Sequence, residues 1–413
     1  MAEKAEKEKP IILLSGGRTT QPLAKLLAER FRIAVFDQNA ASSFTVQIEE
    51  VLCPEKGAKP QLDATATNDA AILTARIVNA LPALPQKFAV DGVASPALSE
   101  NLSGWLPGLS LTLLSTLARD VRVLETFCNG LDVRCVVTHE DVTPRFRAMV
   151  LYAKTRGIPT VHVPHANHFC HTRPDIHDEC VSDWILAASP WMRDWYAERG
   201  YPRDRIKVTG CPNWDRWQET NAKVSKEHAR TVLHLPQDKP VVLYCTSWPQ
   251  TTNLIDDHAL KERADAAMLA AAKAQGWQLV WSLHPGDPPE WQQAYAQLAK
   301  EAGVPAVIVR GHLSHTARAA DVLVMLGPSN VAIEAGIAGC PAVTIPLRGY
   351  GYPDEPPWRA EPTAQSIAEV AGWVLDNPDE WANRRDWFVR QFAGDADGKA
   401  TERVVKAICD IAS

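Results

Sequence analysis

Short apolar runs that end in glycine or a polar cluster and lead into helical stretches recur along this chain. That rhythm constrains the fold more than any other feature. The first run, from Pro10 to Leu14, ends at Ser15-Gly16-Gly17, a helical pattern follows over residues 21–30, and a second apolar run spans Ile33 to Phe36. Two strands without a polar face, joined by one helix, read as neighbours in a parallel sheet covered on both sides. Further strands are expected at 133–138, 160–163, 206–210, 241–245, 279–283, 306–309, 322–326 and 342–345. Apolar residues three and four apart mark helices over 64–81, 110–129, 144–156, 191–199, 259–275, 290–302, 364–375, 378–393 and 399–411.

With 413 residues, 46% of them apolar, the chain is too long for one ordinary core. Residues 213–239 turn polar and less periodic, which places a linker between two α/β domains. The expected division is 1–215, a linker at 216–238, a second domain at 239–385, and helices over 386–413 that return toward the first domain. The fold class that follows is α/β, with two Rossmann-like domains facing across a cleft.

Charge and composition narrow the partners. A net charge of -6 offers no global basic surface for nucleic acid, although phosphate contacts need only a local strip. The charged start, MAEKAEKEKP, lacks the apolar core of a secretory signal. The apolar stretch from Trp105 to Ala118 is interrupted by Pro107 and several hydroxyl residues, and it falls short of a membrane span, so a cytoplasmic location is expected. Nine scattered cysteines without a CxxC pair read as reduced, buried thiols. Fourteen tryptophans, among them Trp191, Trp195, Trp214, Trp217, Trp248 and Trp358, read as core rims or as platforms for a ring-shaped ligand.

The strongest local pattern runs from Ala320 to Ile345: a strand ending at Gly327, a helix opening near Ser329, a stop at Gly339 and Pro341, and another strand. Such a helix start directs backbone N–H groups and the positive end of its dipole to the carboxyl edge of the sheet, a seat for a diphosphate. Ser329 and Asn330 would then hold phosphate oxygens, and Glu334, on the same helix face, would accept from ribose hydroxyls. The same spacing also describes an ordinary helix capped by Ser329. Gly16 and Gly17 admit a ligand on the acceptor side or simply make a tight turn. Four histidines spaced by three, His162, His165, His168 and His171, begin in a strand and continue in a loop. Their side chains therefore diverge, and no metal site is expected.

Residues 239–407 resemble the donor domain of GT-B glycosyltransferases, especially bacterial capsule and teichoic-acid transferases of the glycerophosphotransferase kind and non-hydrolysing nucleotide-sugar 2-epimerases. The stretches Val241 to Ser247, Leu279 to Pro285, Asp321 to Pro341 and Asp397 to Arg403 carry the likeness. The resemblance implies that Thr246 and Ser247 line the mouth of the first donor-domain strand, that His284 meets the donor phosphates, and that Arg310 and His312 pack beside the base. Residues 133–215 are similar to the acceptor side of the same fold. There a strand-end acid and a histidine face the cleft, which implies Asp141, Glu140 or His165 as the base and His168 nearby. Where many members carry His-Gly, this chain has His165-Ala166. Asp141 also suits a helix cap before Pro144.

The function expected is transfer of a sugar from a nucleoside-diphosphate-sugar, a UDP-sugar among the candidates, to an acceptor hydroxyl. The transfer is expected to be inverting and metal-independent, with no cofactor besides the co-substrate. The acceptor would be a glycan, a lipid-linked glycan, a small molecule or a modified nucleic acid. Alternatives are a nucleotide-sugar 2-epimerase, a CDP-glycerol-type phosphotransferase and a non-catalytic nucleotide-sugar-binding protein.

Overall fold

Every residue of the first strand, β1 (Ile11–Ser15), is buried, and its side chains alternate between two cores. Ile12 and Leu14 pack with Leu23, Leu27, Val35, Val137 and Val161, while Ile11 and Leu13 pack on the other face with Phe36, Leu124, Met149 and Tyr152. The computed structural model describes residues 9–17, 19–36, 51–52, 64–80, 89–90, 93–94, 96–165, 167, 180–246, 255–284, 287–311, 313–327, 329–347, 352 and 357–413.

The other strands of this half are β2 (Arg32–Phe36), β3 (Val51–Leu52), β4 (Ala89–Val90), β5 (Val93–Ala94), β6 (Val133–Thr138), β7 (Thr160–His162), β8 (Trp184–Ala187) and β9 (Ile206–Val208). Their sheet runs β3-β2-β1-β6-β7-β8-β9, and β4 and β5 form a separate antiparallel ribbon. The pairings β3-β2, β2-β1, β1-β6, β6-β7 and β7-β8 are all parallel. The order reverses between β1 and β6, and the carboxyl ends at such a reversal are where ligands of open α/β sheets bind.

The second half repeats the plan with β10 (Val241–Cys245), β11 (Gln278–Leu283), β12 (Ala306–Arg310), β13 (Val322–Leu326), β14 (Ala342–Ile345) and β15 (Trp358–Arg359). All five pairings are parallel, the order is β12-β11-β10-β13-β14-β15, and the reversal falls between β10 and β13. Both sheets thus follow the doubly wound Rossmann order, and the chain is α/β with two Rossmann-like units.

The units are discontinuous in sequence. One comprises Met1–His165, Ile176–Leu186 and Val404–Ser413, the other Ala166–Asp175 and Ala187–Arg403. In the terminal helix Ala400–Ala412, Val404, Ile408 and Cys409 belong to the core of the first unit. The second unit is rich in aromatics: Trp195, Trp217 and Trp281 are among its fully buried side chains, and among the described tryptophans only Trp105 and Trp184 belong to the first unit. The polar stretch around residues 213–239 holds two helices, Pro212–Lys223 and Lys226–Val232. Trp214 and Trp217 bury one stripe of the first helix, and Arg230 of the second is buried on Asp321 and on the carbonyls of Ala319 and Gln237. Asp321 in turn accepts from the amide of Val241, so these helices are tied to the amino edge of the second sheet. Among the described residues every cysteine is a free thiol, and no helix is long and apolar enough to cross a membrane.

Candidate functional site

In the first unit, chemistry gathers where β1 and β6 end. Ser15 closes β1 and is fully buried, and its Oγ lies 2.8 Å from Nδ1 of His139, the residue after β6. The same Oγ accepts from the backbone N–H of His139 at 3.0 Å. A Cβ on Gly17 would come within 2.8 Å of the His139 ring, so the ring lies over Gly17 and glycine is required there. Phe146, from the helix Pro144–Thr155, meets the imidazole edge-on at 4.7 Å between centroids, and the exposed His165 follows at 6.3 Å. Burial first, then the neighbouring His165 and His162, push the His139 pKa down to about 4. Gly16 sits in the turn between Ser15 and Gly17.

The two carboxylates after β6 are engaged differently. Glu140 Oε1 accepts from the Thr143 amide at 2.9 Å, at the start of the helix Pro144–Thr155. Asp141 is buried, and its Oδ2 alone accepts from Cys180 Sγ, the amides of Val181 and Ser182, and Ser182 Oγ. Burial would raise its pKa, but His162 and those donors outweigh it and hold the carboxyl below the ordinary value. Asp141 therefore staples the segment entering β8 to the end of β6. A carboxylate so stabilised is a weak proton acceptor.

In the second unit, the turn after β13 places Gly327 at φ +73°, where a Cβ would come within 2.5 Å of Leu347. Both facts demand glycine. Ser329 is extended and its hydroxyl accepts from the Val331 amide at 3.4 Å, capping the helix Asn330–Ile337. Asn330 is committed to one segment: its Oδ1 accepts from the Asn167 amide at 2.9 Å and its Nδ2 approaches the Asn167 carbonyl at 3.4 Å. Asn167 itself is buried and bonded to Ser189 Oγ and to the Phe392 carbonyl. Glu334, half-buried one turn along, lies near Tyr352, whose hydroxyl is pushed well above the ordinary phenol value by burial and then by this carboxylate.

After β10 and β11, Thr246 and His284 meet at Asp287. The buried Asp287 Oδ2 accepts from the His284 amide at 2.8 Å, and Thr246 Oγ1 stands at 3.5 Å, while Oδ1 is enclosed without a partner among the described residues. Arg310, at the end of β12, donates to the carbonyls of Asp287 at 2.9 Å and Pro288 at 3.0 Å, bracing this turn. Sequence reasoning missed Asp287, Asn167, Ser15 and His139. The usable signal for the last two is that β1 and the fourth strand of a Rossmann order are neighbours. Ser247, His312 and His168 lie outside the described residues.

The structure thus collects Ser15, Gly17, His139 and His165 at one sheet edge, and Thr246, His284, Asp287 and Arg310 at another. Ser329 and Glu334 share the helix after β13. Among the described residues no three His, Cys, Asp or Glu side chains gather in a way that could hold a metal ion.

No curated protein matches the chain in sequence. A model of the CDP-Glycerol:Poly(glycerophosphate) glycerophosphotransferase family matches residues 153–325. Among solved structures, UDP-GlcNAc 2-epimerase from Neisseria meningitidis, bound to UDP-GlcNAc, is similar at 13% identity and a TM-score of 0.58, over 97% of this chain and 100% of that one. The wall teichoic acid polymerase TagF, soaked with CDPG, is similar at 14% identity and a TM-score of 0.55, over 98% and 88%. A putative UDP-N-acetylglucosamine 2-epimerase from Listeria monocytogenes gives 15% identity and a TM-score of 0.56, over 97% and 96%. The two doubly wound units are those of the GT-B fold, and over residues 153–325 the chain is similar to the CDP-Glycerol:Poly(glycerophosphate) glycerophosphotransferase family.

Proposed function

We propose that the chain is a GT-B transferase that moves a group from a nucleoside-diphosphate-linked donor to an acceptor hydroxyl. The observation that carries this reading is the glycerophosphotransferase match, which starts in the first unit and ends in β13, two residues before the candidate phosphate turn. That match favours a CDP-linked glycerophosphoryl donor. In such a transfer the acceptor oxygen bonds to the phosphorus of the glycerophosphate, the P–O bond to CMP breaks, and the acceptor proton passes to a base. His165 is the base in this reading, because it is exposed, whereas Asp141 is buried under four donors. The helix start at Ser329, together with His284, would hold the phosphates, and Glu334 the ribose. Asp287 and Arg310 would fix the turn that carries His284.

A second reading is favoured by the likeness to the epimerases: glycosyl transfer from a UDP-sugar, in which the bond at the sugar carbon breaks and UDP leaves. The released nucleotide separates the two. Incubation with CDP-glycerol or UDP-GlcNAc and a hydroxyl acceptor, with chromatography of the nucleotides, is expected to yield CMP. UDP would shift the reading to glycosyl transfer, and interconverted UDP-sugar without an acceptor would shift it to epimerisation. Neither nucleotide nor epimer from either donor would overturn it. Because the helix start and His284 would take over charge neutralisation, turnover is expected to survive EDTA.

A further inference from the structure

The titratable groups at the end of β6 divide into two carboxylates engaged with neighbouring donors and one imidazole tied to a serine on the adjacent strand. We infer that Ser15 locks His139 as a neutral Nε2–H donor that holds an oxygen of the acceptor substrate beside His165. This rests on the transferase reading above and adds a positioning pair to its acceptor side.

The tautomer follows from counting donors. Ser15 Oγ already accepts from the His139 backbone N–H. Among the described residues the other partner of the hydroxyl is His139 Nδ1, at 2.8 Å, so the hydroxyl proton points to that nitrogen. Nδ1 is then the acceptor, and the ring proton sits on Nε2. Protonating Nδ1 would turn it into a donor to Ser15 Oγ and leave the hydroxyl proton without an acceptor among the described residues.

The surroundings keep the ring neutral. His162 and His165, the titratable neighbours at the end of β7 and just beyond it, both disfavour a second positive charge. The adjacent carboxylates cannot offset that. Glu140 is turned onto Thr143 N–H and Asp141 onto Cys180, Val181 and Ser182. His139 therefore differs from a general base: it stays a neutral donor through the ordinary histidine range.

The ring is also held in place. Ser15 pins one edge, Phe146 meets the ring edge-on, and Gly17 leaves room for the ring, since a Cβ there would strike it. Nε2 is not among the enclosed polar atoms and forms no hydrogen bond with a described residue, so it remains open to a ligand oxygen. A rigid neutral donor next to a base can orient a hydroxyl or polarise a developing oxyanion without competing for its proton.

Histidine-selective 15N spectroscopy on the full chain, combined with transfer kinetics, tests this. In the wild type, His139 is expected to show a protonated Nε2 and an unprotonated Nδ1 from pH 8 down to about pH 5. Ser15→Ala should mix the tautomers, and Ser15→Thr should restore the wild-type spectrum. His139→Ala should raise the acceptor KM about tenfold or more and leave the donor KM unchanged, while His139→Gln, which keeps an N–H donor, should recover part of the loss. A wild-type His139 protonated on Nδ1, or one that titrates near neutral pH, overturns the inference, as does an unchanged acceptor KM in His139→Ala. The wild-type spectrum needs no substrate. If no donor supports transfer, the transferase reading fails while the spectrum still decides the tautomer.

Discussion

The two sheets share one strand order and yet carry different chemistry at their points of reversal. Beyond the carboxyl ends of β1, β6 and β7 stand the imidazoles of His139 and His165, with Ser15 and Gly17 shaping the space around His139 and with Glu140 and Asp141 taken up by neighbouring donors. At the carboxyl ends of β10 and β13 the groups on offer are a capped helix start, hydroxyls and a turn held by Asp287 and Arg310. The scaffold fixes where a site forms, and the residues just after the strands decide what it does. The proposed transfer assigns proton chemistry to the first edge and the phosphates to the second.

The sharpest way to break this division is His165→Ala. It is expected to lower transfer by roughly a hundredfold to ten-thousandfold with nucleotide affinity unchanged, measured by turnover and calorimetry on the same preparation. If transfer persists at the wild-type rate, the proton chemistry does not belong to that histidine.

Asp141→Asn should act on stability instead. Replacing a buried carboxylate that takes four donors on one oxygen with a neutral amide is expected to cost about 2–4 kcal/mol in denaturant unfolding. Because the folded carboxyl is held below its unfolded value, its contribution is present above the unfolded pKa and is lost as the pH falls through the lower folded one. The acid limb of the stability curve should therefore flatten in the variant. An unaltered limb would show that the staple contributes nothing.

Gly327→Ala tests the second edge. A left-handed residue with Leu347 in the way of its Cβ should cost about 1–3 kcal/mol and weaken nucleotide binding, whereas an exposed change such as Trp387→Ala should do neither. Smallest of the set, His284→Ala and Glu334→Ala are each expected to weaken nucleotide binding or turnover about tenfold, close to 1.4 kcal/mol. Full binding in both would remove the phosphates from that edge.

Much of the α/β plan could be read from the residues, because a strand buried on both faces leaves an uninterrupted apolar run. Val241–Cys245, Val322–Leu326 and Ala342–Ile345 stand where the pattern puts them. Short edge strands such as β3 and β15 carry only two residues each and leave no such trace. The helix Pro212–Lys223 was hidden because two tryptophans suffice to bury its stripe, so its average composition stays polar. The site was legible only in part. Ser329 is found by its position after a glycine-ended strand, but the bond between Asn330 and Asn167 joins residues 163 apart, and that between Ser15 and His139 residues 124 apart. No local pattern encodes such a partner. Asp287 sits in a proline-rich turn, and only the fold shows that it gathers His284 and Thr246.

The uneven distribution of tryptophans has an experimental consequence. Among those described, only Trp105 and Trp184 fall in the first unit, while Trp195, Trp217 and Trp281 lie deep in the second. Intrinsic fluorescence should therefore follow the unfolding of the second unit almost alone, and circular dichroism should follow both. A denaturant titration in which the two signals separate would reveal two cooperative blocks in one chain, with no label introduced.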